Sequence, residues 1–162
     1  MRDDRVKRLA LGGLLSSLVL LTTWQLKIFL PIGAGYIHLG DGVIFLSSML
    51  LGKDAALIAA IGSVLADLLV GASVYIPATL VIKAFMGFVV AILYRPGKHI
   101  KNLCAFFLAE AIMVGGYFAY EIILSGWGLA LTTIGPNLLQ AAAGVALGLA
   151  FSIYLPNLKK LV

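Results

Sequence analysis

A few ionisable and amide side chains interrupt the apolar segments of this sequence. Such groups are costly inside a bilayer, so those that persist are candidates for binding a ligand, an ion or a proton. Carboxylates, amides and a lysine together can donate hydrogen bonds to a small polar molecule and accept them from it. These residues are His38, Asp41, Asp67, Lys83, Glu110, Glu121, Asn137 and Gln140.

All of these residues except Glu110 fall in the same half of the membrane once the chain is oriented by its basic residues. An ion pathway would place polar groups across the whole thickness, whereas a pocket gathers them at one depth. The sequence therefore favours a ligand pocket that opens to the extracellular side. Along the fifth apolar segment, Glu110, Val114, Tyr117 and Glu121 recur at helical spacing. One helix face thus combines two carboxylates with a ring that can stack on a small polar ring.

Each of these positions also has a structural interpretation. Asp67 and Lys83, on adjacent segments at similar depth, can form an ion pair instead of contacting a ligand. Asp41 can cap the start of a helix. The histidine suits a membrane interface, and the two amides can join helices by hydrogen bonds. The residue types leave both interpretations open.

The chain as a whole is too apolar for a soluble domain, since 62% of its 162 residues are hydrophobic and 12% are charged. Ordinary globular chains carry roughly 25% charged residues. A span needs about 20 apolar residues, so this length holds six helices and no soluble catalytic domain. We predict an all-α membrane protein, a single domain over residues 1–162, with a short second span and with Pro136 in the first turn of the sixth. The predicted spans are 9–25, 37–51, 55–70, 77–94, 103–124 and 136–155.

The basic residues predict the orientation of these helices. Cytoplasmic loops of membrane proteins are enriched in Lys and Arg. With six crossings, Lys27 falls in an outer connection and Lys83 lies inside the membrane, while the other basic residues share one side. We therefore predict that both termini are cytoplasmic. The residues on that side are Arg2, Arg5, Lys7, Arg8, Lys53, Arg95, Lys98, Lys101, Lys159 and Lys160.

Small residues at four-residue spacing form a second pattern. Gly144 and Gly148 make a GxxxG motif, and Gly13 and Ser17 repeat that spacing on the first segment. Such pairs let helix backbones approach closely. Packing within the protein is the simpler explanation, but the first segment can also dock another membrane protein.

Several catalytic and nucleotide-binding motifs are missing from the sequence. It contains no G-x-x-x-x-G-K-[ST], no H-E-x-x-H, no G-x-S-x-G and no CxxC. We therefore expect no enzyme activity, no catalytic residues, and no cofactor or metal on this chain. Basic residues at helix ends indicate topology rather than binding of nucleic acid.

Four stretches of the sequence resemble a known transporter family. They are similar to the S components of energy-coupling factor (ECF) transporters, the membrane subunits that bind the substrate. The resemblance is to the riboflavin-type group, which also includes pyridoxine and hydroxymethylpyrimidine carriers. The stretches are YIHLGDGVIF at 36–45, ADLL at 66–69, YIPAT at 75–79 and IKAFMG at 82–87.

This resemblance implies a six-helix subunit of the cell membrane that captures a vitamin at the outer face. It implies as partners a transmembrane scaffold subunit and two cytoplasmic ATPases, which use the ATP. In that family a small-residue motif on the first helix meets the scaffold, and here Ala10, Gly13 and Ser17 are the nearest match.

A pocket with both charges and several donors and acceptors suits a small hydroxylated nitrogen heterocycle, and we predict hydroxymethylpyrimidine or pyridoxine. Alternatives are riboflavin as substrate, a self-sufficient channel or proton-coupled carrier that uses Glu110 and Glu121, and an assembly protein whose polar residues are all structural. The residues expected to bind substrate are His38, Asp41, Asp67, Tyr75, Lys83, Tyr117, Glu121, Asn137 and Gln140.

Overall fold

The computed structural model describes residues 2–29 and 36–158, which form a helical bundle with one short hairpin. Lys159 and Lys160, which the sequence places on the cytoplasmic side, lie outside the described residues. Short 3-10 turns at Gly52–Asp54 and Ser73–Tyr75 connect neighbouring helices. The elements in chain order are α1 (Arg2–Trp24), β1 (Lys27–Phe29), β2 (Tyr36–His38), α2 (Gly40–Leu51), α3 (Ala55–Val70), α4 (Ile76–Leu93) and α5 (His99–Leu158).

Long apolar helices confirm the prediction of a helical membrane protein. By length and composition, four helical stretches of the described chain can cross a membrane. Two of these, at 31 and 57 residues, are much longer than the roughly 20 residues that one span needs. They are Asp4–Trp24, Gly40–Val70, Ser73–Leu93 and His99–Leu155.

The 60-residue α5 is two helical arms rather than one rod. At Gly126 the backbone has φ 79° and ψ 174°, which is outside the helical region and which glycine adopts without strain. The arms are residues 99–125 and 127–158.

The prediction that Pro136 lies in the first turn of the sixth helix is wrong, because apolar residues from Trp127 onward already continue the second arm. Proline has no N–H to donate within this arm, and membrane helices tolerate that loss when neighbouring groups compensate.

A two-stranded antiparallel hairpin joins α1 to α2 and was not predicted. Its register pairs Lys27 with His38 and Phe29 with Tyr36. Strands of three residues are too short to show an alternating pattern, so sequence periodicity could not reveal them. The hairpin fixes where the chain enters α2.

Helix α2 is the most enclosed element of the bundle. Ten of its 12 residues are buried, and it packs against α1, α3, α4 and α5. On its inner face Phe45 stacks on Phe106 of α5, with ring centroids 5.0 Å apart. At about 18 Å it is shorter than the roughly 30 Å hydrocarbon layer, and it brings side chains into the middle of the bundle.

Glycines permit the closest helix contacts. A Cβ at Gly148 would lie 2.7 Å from the Phe45 ring, and a Cβ at Gly144 would collide with the carboxylate of Glu110. On the other side of the bundle, a Cβ at Gly62 of α3 would lie 2.5 Å from the Ser16 carbonyl of α1. The GxxxG motif in the second arm of α5 is therefore used for packing within the protein, as predicted.

Candidate ligand-binding site

A cavity of about 250 Å3 lies where the ends of α1 and α3, strand β2, the start of α4 and both arms of α5 converge. Its wall combines carboxylates, amides, hydroxyls and tyrosine rings with two apolar residues, Ala72 and Pro136. The lining residues are Thr23, His38, Asp67, Ala72, Tyr75, Thr79, Tyr117, Glu121, Thr133, Pro136, Asn137 and Gln140.

Hydrogen bonds from α4 and the 3-10 turn before it to the first arm of α5 build one wall of this cavity. The Tyr75 hydroxyl donates to Glu121 Oε2 at 2.6 Å, and one turn further along, the hydroxyls of Thr79 and Tyr117 are 2.9 Å apart. From Tyr75 to Thr79 the residue number rises by four, whereas from Glu121 to Tyr117 it falls by four. This is expected for antiparallel helices that face each other. The wall is therefore held by side-chain bonds at two successive turns.

Below this wall lies a buried ion pair. Lys83 Nζ donates to Asp41 Oδ1 at 2.5 Å, and Gln140 Nε2 donates to Asp41 Oδ2 at 2.7 Å. The same ammonium lies 5.6 Å from the centroid of the Tyr117 ring. Lys83, Asp41 and Gln140 are each at least 96% buried. Three elements, α2, α4 and the second arm of α5, are thereby joined by charge-assisted hydrogen bonds.

Two expectations about Asp41 and Lys83 need correction. The N-cap position of α2 is Leu39, and the Asp41 carboxylate is bonded to Lys83 and Gln140 instead of capping the helix. Lys83 forms its ion pair with Asp41, whereas the sequence pointed to Asp67. Neither Asp41 nor Lys83 belongs to the cavity wall, although both were predicted to bind substrate, because they are directed towards each other beneath it.

The other seven predicted binding residues all line the cavity: His38, Asp67, Tyr75, Tyr117, Glu121, Asn137 and Gln140. The Nδ1 atom of His38 accepts a hydrogen bond from the Gly40 backbone N–H at 3.2 Å, which holds the ring at the junction of β2 and α2. Five lining residues were missed: Thr23, Ala72, Thr79, Thr133 and Pro136. Thr79 could have been found, because it lies one helical turn from both Tyr75 and Lys83.

Glu110 lies deeper than the cavity and is not part of its wall. Its side chain is 98% buried against Gly144, and neither carboxylate oxygen accepts a hydrogen bond from a residue that the structure describes. Glu110 and Glu121 are on one helix, but they lie in different surroundings.

The residues expected to dock a partner lie on the exposed face of α1. Ala10, Gly13 and Ser17 are all exposed, and the Ser17 hydroxyl donates to the Gly13 carbonyl at 2.9 Å. Gly13 and Ser17 also line an apolar groove of about 530 Å3 between α1 and α3. At one end of this groove Arg8 donates to Asp54 at 2.6 Å.

Comparison with known proteins decides the family. Residues 4–157 match the family described as ECF-type riboflavin transporter, S component. The chain belongs to this family. It is also 30% identical over 154 residues to the thiamine precursor transporter HmpT of Lactococcus lactis subsp. cremoris, covering 94% of this chain and 89% of that protein. An uncharacterised protein of Pyrococcus woesei is 31% identical over 132 residues, covering 80% of this chain and 88% of the relative.

Membership of the S components confirms the resemblance found in the sequence. It makes the chain a multi-pass transport subunit of the cell membrane for vitamins or their precursors, and not an enzyme. Within this S component, the cavity between the ends of α1 and α3, the start of α4 and both arms of α5 combines polar side chains with a volume suited to a small molecule.

Proposed function

We propose that this S component captures a vitamin precursor with a single ring, hydroxymethylpyrimidine or pyridoxine, and delivers it to an ATP-driven ECF importer. The observation that carries the proposal is the cavity itself. Its volume is about 250 Å3, and its wall presents hydrogen-bonding groups beside tyrosine rings. We expect a ligand with one substituted six-membered ring there rather than riboflavin, which has three fused rings and a ribityl chain.

The polar groups of the wall support the same substrate class. Asp67, Glu121, Asn137 and Gln140 offer acceptors and donors around the space, and Tyr117 offers a ring face. A hydroxylated nitrogen heterocycle presents both hydrogen-bonding edges and an aromatic face. The similarity to a thiamine precursor transporter supports hydroxymethylpyrimidine, which is the pyrimidine half of thiamine.

We further propose six crossings, with both termini in the cytoplasm and the cavity open to the outside. Helices α2 and α3, joined by one 3-10 turn, would cross separately, and so would the two arms of α5 on either side of Gly126. This arrangement keeps Lys53, Arg95, Lys98 and Lys101 on the side of the N-terminus, in agreement with the positive-inside rule.

The partners in this proposal are a transmembrane scaffold subunit and two cytoplasmic ATPases that hydrolyse the ATP. The exposed α1 face with Ala10, Gly13 and Ser17 would meet the scaffold, because small residues let a partner helix approach the backbone closely. A Cβ at Gly13 would have no neighbouring atom within 4 Å, so this part of α1 is open to a partner.

Calorimetry on the full chain in lipid nanodiscs tests the function. We expect hydroxymethylpyrimidine or pyridoxine to bind in the absence of ATP, and riboflavin not to bind. Glu121→Gln should weaken that binding, because it removes the charge that accepts the Tyr75 hydrogen bond. Ser48→Ala is the matched control, since Ser48 donates to the Gly87 carbonyl within the bundle and neither residue belongs to the cavity wall.

Absence of binding for both compounds would contradict the proposal. Uptake assays separate it from a self-sufficient carrier. Cells that lack the ATPase partners should not accumulate the substrate, and accumulation in those cells would favour the proton-coupled alternative.

A further inference from the structure

The side-chain amide of Gln140 connects the cavity to the buried ion pair beneath it. Its Nε2 donates to Asp41 Oδ2 at 2.7 Å and points its other hydrogen towards Met113 Sδ, 4.0 Å away. Gln140 is also part of the cavity wall. Among the residues that the structure describes, its carbonyl Oε1 makes no hydrogen bond.

The ion pair determines which end of this amide faces Asp41. A carboxylate bonded to a lysine ammonium is ionised and can only accept hydrogen bonds. The reverse orientation of Gln140 would place its carbonyl oxygen against a carboxylate oxygen, so that two acceptors would repel each other in a buried site. Lys83 therefore fixes Asp41, and Asp41 fixes the amide of Gln140.

The consequence for the cavity is an acceptor with a defined direction. With both N–H groups turned towards Asp41 and Met113, Gln140 presents its carbonyl oxygen to a bound molecule. The wall carries two carboxylates as well, Asp67 and Glu121, and no lysine or arginine belongs to it among the described residues. A site built to hydrogen-bond a donor rejects an analogue that lacks the donor, because its acceptor is then left unpaired.

We propose that Lys83 and Asp41 are positioning residues for Gln140, and that Gln140 Oε1 selects a heterocycle that carries an N–H donor, such as an exocyclic amine. This inference rests on the proposed function, since it assigns substrate class within the same cavity. Of the two proposed substrates, hydroxymethylpyrimidine carries such an amine, whereas pyridoxine offers hydroxyl donors instead.

The test compares two ligands on the full chain in nanodiscs. The first is hydroxymethylpyrimidine and the second is its deamino analogue, in which hydrogen replaces the exocyclic amine. We expect the wild-type chain to bind the analogue at least about tenfold more weakly than hydroxymethylpyrimidine. This factor corresponds to the cost of one unpaired acceptor. In Gln140→Met, which keeps the side-chain length and removes both donor and acceptor, the two dissociation constants should agree to within about threefold.

A second variant tests the positioning role. Asp41→Asn combined with Lys83→Met removes both charges together, so no unpaired charge is left in the core. The amide of Gln140 can then turn, and selectivity between the two ligands should fall as it does in Gln140→Met. General damage to the fold would weaken both ligands equally and leave their ratio unchanged. Ser48→Ala, which loses a buried bond between α2 and α4, should keep the wild-type ratio.

The outcomes separate this inference from the function on which it rests. If the wild-type chain binds neither of these ligands nor pyridoxine, the proposed function itself is wrong. If it binds pyridoxine alone, the function stands and the selection by Gln140 is wrong. If it binds both equally, or if Gln140→Met keeps the tenfold ratio, the function stands and the selection by Gln140 is wrong. If the double variant keeps a ratio that Gln140→Met loses, the positioning role of Asp41 and Lys83 is wrong.

Discussion

Two helix contacts in this S component reach close packing by opposite chemistry. Between α2, α4 and α5, charged and amide side chains meet in the core, with Lys83, Asp41 and Gln140 in one chain of hydrogen bonds. Between α1 and α3, the contact depends on Gly62 lying against the Ser16 carbonyl. The first contact borders the cavity and the second borders the apolar groove.

The difference between the two contacts fits two separate roles, ligand binding and association with a partner. Buried charges fix side-chain geometry because each has few partners, and a ligand site needs that precision. Small residues add no directional bonds, so a contact built on them leaves a smooth surface that a partner helix can approach. We expect substitutions on the α4–α5 side to change ligand binding, and those on the α1 side to change association with partners.

The largest expected effect comes from breaking the ion pair on one side. Lys83→Met leaves Asp41 as an unpaired buried charge, which costs about 3–5 kcal/mol of stability. We expect a large fall in thermal unfolding temperature in detergent, measured by intrinsic tryptophan fluorescence. The double variant with Asp41→Asn should recover most of the loss, because no charge remains unpaired. Equal unfolding temperatures for the single and double variants would show that the pair contributes no such constraint.

The next effect concerns the glycine contact. Gly62→Ala adds a Cβ that would lie 2.5 Å from the Ser16 carbonyl and 2.8 Å from Val19 Cβ, and overpacking of this kind costs about 1–3 kcal/mol. We expect a lower unfolding temperature without a change in ligand selectivity. Gly13→Ala is the matched control, since its Cβ would meet nothing within 4 Å and both changes alter helix propensity equally. If the two variants unfold alike, the α1–α3 contact is looser than the structure describes.

A smaller effect is expected at the cavity wall. Tyr75→Phe removes the hydroxyl that donates to Glu121 at 2.6 Å, so the carboxylate loses its orientation. Loss of this orientation predicts a severalfold rise in the dissociation constant for hydroxymethylpyrimidine. Tyr120→Phe serves as the control, because that hydroxyl donates to the Val74 carbonyl and is not part of the wall. Equal affinities for the two variants would place the ligand away from Glu121.

Much of the cavity wall could be predicted from sequence for a simple physical reason. Polar side chains in apolar spans are expensive, so positions such as Asn137 and Glu121 stand out against their neighbours. Threonines do not stand out in the same way, because their hydroxyls can bond the helix backbone, as Thr133 does with the Ala130 carbonyl. Thr133 was missed for that reason.

The partner of Lys83 could not be predicted, because Asp41 and Asp67 lie at similar depth. The choice between them depends on how closely α2 enters the bundle. That approach is set by Gly42, whose Cβ would lie 2.7 Å from the Leu147 side chain, and by Gly144, whose Cβ would lie 3.2 Å from Asp41 Cβ. Spacing along one segment carries no information about such a distance between segments. The fifth predicted span ends at residue 124, close to the break at Gly126, but the next helix was predicted to begin at Pro136, because proline commonly occupies the first turn of a helix.

The smallest effect on the isolated chain is expected on the exposed face of α1. Substitutions there also give the sharpest test of the difference between the two helix contacts. Gly13→Leu and Ser17→Leu add bulk where nothing in the described chain packs closely, so unfolding temperature and ligand affinity should stay at wild-type values. Co-purification of the scaffold and ATPase subunits from native membranes should fall, because the added side chains keep a partner helix from the α1 backbone. Ala111→Leu makes the same kind of change on the exposed face of α5 and should leave co-purification intact. If Ala111→Leu lowers co-purification and the α1 variants do not, docking belongs to the side of the bundle that also holds the cavity, and the division of tasks between the two contacts is wrong.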